Sequence, residues 1–142
     1  MTDREAFGAA YRIDDDGNFT ELWKTSGWYS FEVFLSADGK YLVRMGSFGV
    51  GKQPEKKDLG IAFYKNGKLL KAYSTADLVK DNRKVVQTAS HYMWLARDNY
   101  EKPDPDAKLT LEWENVFRLK TIDGIAYQFD ATTGQIKEAR RP

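Results

Sequence analysis

Residues 34–42, FLSADGKYL, and residues 119–127, LKTIDGIAY, share one pattern: an Asp-Gly turn between two extended stretches. Each is followed by a phenylalanine and a second glycine-centred turn, in residues 63–71 (FYKNGKLLK) and 129–137 (FDATTGQIK). Asp-Gly and Asn-Gly pairs between alternating apolar residues are the strongest local signals for β-hairpins. The chain therefore predicts an internal repeat of hairpin units in a mainly β, antiparallel fold.

Composition places the chain among single globular domains, since it has 142 residues, 42% of them hydrophobic and 14% aromatic. The absence of cysteine excludes disulfides, thiolate metal sites and cysteine nucleophiles. A net charge of +1 provides no basic excess for nucleic acid, and no apolar run is long enough for a membrane span. The start, MTDREAFG, does not resemble a signal peptide, so we expect none in this chain. The compartment is unknown, and an extracytoplasmic location stays open for a chain whose leader has been removed.

The predicted domain covers residues 1–142 and contains two hairpin units. The first unit, 28–74, is interrupted at 46–60 by a glycine- and lysine-rich segment that we interpret as a long exposed loop. The second unit covers 109–138, and an N-terminal hairpin that turns at 14–18 precedes both. Such a meander predicts a sandwich-like fold or part of a propeller.

Two segments lie between the units. The stretch Ser74-Thr75-Ala76-Asp77 matches a capping box and predicts one short helix from Thr75 to about Lys80. Residues 85–96 are ambiguous, because their spacing fits a helix while their β-branched and aromatic residues favour a strand.

The hairpin around residues 66 and 67 is apolar on both faces. A two-residue turn predicts that Phe63 pairs with Leu70. A hairpin of this kind must be covered on both faces, as in stacked sheets.

Several stretches resemble the blades of β-propeller repeats in uncharacterised bacterial proteins. They are SADGKYLV at 36–43, FDATTGQI at 129–136, SHYMW at 90–94 and WKTSGWY at 23–29, and the resemblance covers most of 28–138. It implies hairpins stacked face to face and implies no activity. A closed propeller needs four or more blades, so two units would close as a small sandwich or bury their edges against another subunit.

Two motifs fit a binding function only in part. Residues 46–53, GSFGVGKQ, match the phosphate-binding pattern G-x-x-x-x-G-K, but Gln53 stands where the Mg²⁺-binding Ser or Thr belongs. In the acidic stretch 14–18, alignment with a calcium loop puts Arg12 and Trp23 at two essential ligand positions. We interpret the first as a flexible glycine loop and the second as an acidic turn.

His91 is the only histidine and the natural candidate for a catalytic base. No His-x-x-Glu spacing or G-x-S-x-G elbow accompanies it, and neighbouring strand residues such as Ser90 point to opposite faces. A packed histidine beside Tyr92 and Trp94 is the favoured interpretation, and a hydrolase that uses His91 with acidic residues is the alternative.

Glu112 and Glu114 lie on one face of a predicted strand, in the arrangement of a carboxylate pair. Leu111 and Trp113 are expected to supply the buried face of that strand, so both glutamates should face solvent.

The favoured function is a non-enzymatic binding or protein-interaction module that uses loops and aromatic side chains. Its predicted binding residues are Trp28, Tyr29, Lys52, His91 and Trp94, and no catalytic residue, metal ligand or cofactor is predicted. The expected partner is a protein or a small-molecule or carbohydrate ligand. A structural subunit that self-associates as a homo-oligomer through sheet edges is a further alternative.

Overall fold

The fold is built on two four-stranded antiparallel sheets that pack face to face, with a hairpin covering the outer face of the first and a small three-stranded sheet beside them. The structure, a computed structural model, describes residues 5–142. The predicted mainly β, sandwich-like architecture with one short helix is confirmed. In chain order the elements are β1 (Phe7–Ile13), β2 (Phe19–Ser26), β3 (Val33–Leu35), β4 (Tyr41–Met45), β5 (Gly49–Val50), β6 (Leu59–Lys65), β7 (Lys68–Ser74), α1 (Thr75–Leu78), β8 (Val86–Gln87), β9 (His91–Met93), β10 (Thr110–Leu111), β11 (Val116–Lys120), β12 (Ala126–Asp130) and β13 (Gln135–Arg140).

The main core lies between the sheet β3-β4-β6-β7 and the sheet β10-β11-β12-β13. Alternate side chains of β4 and β6 point inward, and Val43 and Phe63 are fully buried there. The ring centroid of Phe63 lies 5.2 Å from that of Phe129 and 6.5 Å from that of Phe117. These contacts join residues of both predicted hairpin units in one hydrophobic core.

The N-terminal hairpin β1–β2 covers the other face of the first sheet. Trp23 packs on Leu42 and Tyr64 in a second, smaller cluster, and its Nε1 donates to the carbonyl oxygen of Gly39 at 2.6 Å. The expectation that the hairpin around residues 66 and 67 is covered on both faces is confirmed for β6 and wrong for β7, where Leu69 and Leu70 are exposed.

The turn at residues 66 and 67 has the predicted geometry, but the pairing of the two strands differs from the prediction. Asn66 and Gly67 both have positive φ, 48° and 81°, as a type I′ turn requires. The predicted pairing of Phe63 with Leu70 is wrong, since Phe63 lies opposite Lys71. A β-bulge at Leu70 shifts the register by one residue, which places Tyr73 on the inner face beside Phe63.

The predicted capping box is present. Ser74 Oγ accepts from the backbone N–H of Asp77 at 3.0 Å, and the Ser74 N–H donates to the Asp77 carboxylate at 2.9 Å. Helix α1 ends at Leu78, two residues before the predicted end, because Val79 is already extended with ψ 123°.

The prediction of a buried Trp113 is wrong, since its side chain is 87% exposed. Strand β10 ends at Leu111, and the turn that follows bonds the N–H of Asn115 to the carbonyl of Glu112. Side-chain alternation stops with the strand, so Trp113 projects from the tip of the hairpin. Glu112 forms an ion pair with Arg118.

Candidate functional site

The candidate site is built on a small sheet, β5-β9-β8, that lies beside the main sandwich. In it Gly49 pairs with Tyr92, and Val50 pairs with His91. The interpretation of 46–60 as one long exposed loop is therefore wrong in part, because β5 belongs to a sheet and Pro54 is buried. Residues 85–96 form the strands β8 and β9 and part of a 3-10 turn, which resolves their ambiguity in favour of strands.

Tyr92 fixes the small sheet to the sandwich. Its side chain is 1% exposed, and its hydroxyl lies 2.7 Å from Thr75 Oγ1 and donates to the Asp58 carboxylate at 2.6 Å. Burial raises the pKa of Tyr92 well above its ordinary value, so the phenol stays protonated and able to donate. A Cβ on Gly49 would lie 2.2 Å from the Tyr92 ring, so only glycine allows this approach of β5 to β9.

Four aromatic side chains form a continuous row on this side of the molecule, which we call the aromatic row: Tyr29, Phe31, Phe48 and the partly buried His91. The centroid distances between consecutive rings are 5.1, 6.3 and 6.2 Å. Tyr29, Phe31 and Phe48 are 69%, 75% and 63% exposed. Three separate segments of the chain thus place their aromatic side chains together in solvent.

A crevice of about 80 Å³ lies beside the row. Phe31 and Phe48 line it together with the buried Trp94, and its lining includes the charged residues Glu32, Arg97 and Asp98. The crevice thus combines aromatic and ionised groups.

The charged residues of the crevice are linked through Arg97. Its guanidinium donates to both carboxylate oxygens of Glu32, at 2.8 and 2.5 Å, in a bidentate pair. Its Nε lies 3.5 Å from the Asp98 carboxylate. Burial raises the pKa of Asp98, and Arg97 only partly offsets this effect.

The structure brings together some of the predicted binding residues. Tyr29 and His91 form the two ends of the aromatic row, and Trp94 lines the crevice. Trp28 lies apart from the aromatic row, because its ring packs against the side chains of the second cluster. Lys52 lies exposed in the turn after β5, without an ion pair among the described residues.

The geometry around His91 differs from the expectation that Ser90 points away from it. Ser90 Oγ lies 2.7 Å from His91 Nδ1, within hydrogen-bond distance. Ser90 occupies a bend before β9, where strand alternation does not apply. No carboxylate of residues 5–142 forms a hydrogen bond or ion pair with the His91 ring, and those residues contain no cluster of three His, Asp or Glu side chains suited to a metal.

The site also contains residues that the sequence did not predict: Phe31, Glu32, Phe48, Arg97 and Asp98. Phe48 carried a usable signal, since an aromatic residue between glycines in GSFGVG has no strand alternation that would bury it. Phe31 sat in an apparent alternating stretch, but β3 begins only at Val33. Nothing in the sequence places Arg97 beside Glu32.

No protein-family model matches the chain, and no match was found among curated proteins or among solved structures. The resemblance to propeller blades therefore stays a prediction. Within the part of the chain that the structure describes, no helix is long and apolar enough to cross a membrane.

Proposed function

We propose that the protein is a non-enzymatic binding module that recognises a protein partner through the aromatic row. The observation that carries this proposal is the exposure of Tyr29, Phe31 and Phe48 in one continuous row, outside both core clusters. Contiguous exposed apolar surface commonly marks an interaction site. Covering one such ring stabilises a complex by about 2 kcal/mol before the costs of association are subtracted.

The ring orientations favour protein side chains over a carbohydrate as the ligand. Consecutive rings of the row are inclined by 85°, 42° and 80°, so they form no common plane. A sugar stacks best on a flat aromatic face, whereas apolar side chains of a partner fill the angles between inclined rings. The attachment of β5 and β9 through Tyr92 holds the Phe48 and His91 end of the row in place, which lowers the entropic cost of binding there.

A random peptide library, selected on the wild-type protein, tests the proposal. We expect selected peptides to lose roughly tenfold or more in affinity for the double variant Phe31→Ala/Phe48→Ala, because aromatic residues dominate binding energies. The matched control is Ile13→Ala/Phe19→Ala, which removes two other apolar side chains with similar exposure, 62% and 69%, on the N-terminal hairpin. Affinities are measured by calorimetry.

Two results would contradict the proposal. One is a set of peptides that bind the Phe31→Ala/Phe48→Ala variant as tightly as the wild type. The other is binding to an oligosaccharide that requires the aromatic row, combined with failure to select any peptide whose binding requires it.

The hydrolase alternative rests on the contact between Ser90 and His91. A serine nucleophile is activated by a hydrogen-bonded histidine, usually oriented by a carboxylate. A panel of chromogenic esters and glycosides, assayed with the wild type and His91→Ala, tests it. If the wild type turns over a substrate and His91→Ala abolishes that turnover, the protein is an enzyme and the proposal of a non-enzymatic module is wrong.

The alternative of a self-associating subunit rests on β1. This seven-residue strand pairs only with β2 among the described residues, and the register shift between them leaves Leu22 of β2 as the extra residue. The free edge of a seven-residue strand is nevertheless a site for strand pairing. Light scattering over a range of concentrations tests the alternative, and a constant monomer mass would exclude it.

A further inference from the structure

We propose that the crevice beside the aromatic row holds a lysine-type ammonium group of the partner. This inference rests on the proposed function, because it assigns the chemistry of one contact within the same site. The partner's apolar side chains would lie on the row, while one cationic side chain enters between Phe31, Phe48 and the residues beneath them.

The charge balance of the crevice favours a cation. Two carboxylates, Glu32 and Asp98, share one guanidinium, that of Arg97. Arg97 directs its paired donors to Glu32, so Asp98 has only the 3.5 Å contact with the guanidinium. The Asp98 carboxylate accepts no hydrogen bond within residues 5–142, which leaves its oxygens free for a donor that enters the crevice.

Asp98 also differs from the other carboxyl groups with a perturbed pKa in the direction of its pKa shift. The nearby cation or hydrogen-bond donor lowers the pKa of Asp77, Asp81, Asp104 and Glu112, whereas burial raises that of Asp98. A partly buried carboxylate that accepts no hydrogen bond is stabilised by a cation placed beside it. An ammonium with three donors provides both the charge and the hydrogen bonds.

The aromatic lining fits the same ligand. Phe31, Phe48 and Trp94 contribute rings to the crevice, and aromatic faces attract cations electrostatically. The alkyl stem of lysine is apolar and can pack along these rings while its terminal charge reaches the carboxylates.

The size of the crevice limits what enters it. At about 80 Å³ it is smaller than the pockets of about 300–1,000 Å³ that enclose whole small-molecule ligands. It has room for the end of one side chain, and an ammonium is more compact than a planar guanidinium. The remainder of the ligand must therefore lie outside, on the exposed surface that includes the aromatic row.

The test uses n-butylammonium, which reproduces the end of a lysine side chain, and n-butanol as its neutral counterpart. Each is titrated into the 142-residue chain at constant ionic strength, and amide shifts are followed by two-dimensional NMR. We expect saturable shifts in residues 47–49 and 93–98 with n-butylammonium, and roughly fivefold weaker binding to Asp98→Asn. The matched control is Asp106→Asn, which neutralises an exposed aspartate outside the crevice and should bind as the wild type does.

The outcomes separate this inference from the proposed function. Equal shifts with n-butanol and n-butylammonium, or an unchanged affinity in Asp98→Asn, would overturn the ammonium site. Peptides that depend on Phe31 and Phe48 would then still support the binding module. Saturable n-butylammonium binding that Asp98→Asn weakens, together with a failure to select any peptide that depends on the row, would support the ammonium site and count against the proposed function.

Discussion

Gly49→Ala is expected to destabilise the protein more than any ordinary glycine-to-alanine change in a strand. The new Cβ would lie 2.2–2.5 Å from three atoms of the Tyr92 ring, where carbon atoms prefer about 3.5–4.0 Å. The ring must therefore move by about 1 Å or β5 must separate from β9. Tyr92 is fully buried and held at its hydroxyl by Thr75 and Asp58, so neither movement is free of cost.

The magnitude follows from these contacts. Overpacking a close-packed interior costs about 1–3 kcal/mol. Movement of the ring also weakens the two hydrogen bonds of the Tyr92 hydroxyl, each worth about 1 kcal/mol. The expected loss in the free energy of unfolding is therefore about 3 kcal/mol, which lowers the Tm of a domain of this size by about 10 °C.

Calorimetry or circular dichroism during heating measures this change, with Gly8→Ala as the matched control. Gly8 also lies in a strand, but its Cβ would meet only Thr25 at 3.6 Å, an ordinary contact. The Tm of the Gly8→Ala protein should stay the same or rise slightly, because alanine restricts the conformations of the unfolded chain. A Gly49→Ala protein whose Tm equals that of Gly8→Ala would refute the packing of β5 on Tyr92, and with it the preorganised placement of Phe48.

Three other changes test separate features of the structure. Asp98→Asn should raise the urea midpoint at neutral pH. Folding raises the pKa of Asp98, so its carboxyl group stabilises the folded protein below the ordinary value of 3.8, and this contribution is lost as the pH rises through the folded pKa. An unchanged midpoint at neutral pH, or an equal gain in acid, would contradict the unfavourable burial of Asp98. Ser74→Ala should lower the free energy of unfolding in urea by about 1 kcal/mol, because it removes the cap of α1 that bonds to Asp77, and no loss would show that the cap is dispensable. Trp113→Ala should change that free energy by less than about 0.5 kcal/mol in the same assay, and a larger loss would mean that the indole is packed.

Local structure was predictable from short stretches of sequence. The turn at Asn66-Gly67 and the capping box at Ser74 each depend on a few neighbouring residues whose backbone preferences point to one structure. The register beyond the turn was not predictable, because the bulge at Leu70 lets Tyr73 reach the core beside Phe63. That choice depends on contacts with the second sheet rather than on the hairpin itself.

The candidate site was predictable only in part. Exposed aromatics and a lone histidine are common in binding sites, which points to Tyr29 and His91, but sequence alone does not determine which aromatic residues are buried. Trp94 proved to be buried and Trp113 exposed, although both lie in stretches that resemble strands. Burial depends on which face of a strand meets another layer, and alternation along the chain leaves that undetermined.

By itself the sequence determined the β class, the positions of the principal turns and the start of the helix, because these follow from residue preferences acting over a few neighbours. The tertiary structure alone decided that residues 29–32, Phe48, His91 and residues 97–98 share one surface. The proximity of Phe48 and His91 comes from the pairing of β5 with β9 and from the burial of Tyr92 against the sandwich, while the ion pair of Arg97 with Glu32 joins the other two segments. Contacts of this kind join residues far apart in the chain, and their free energy is gained only when the whole core packs.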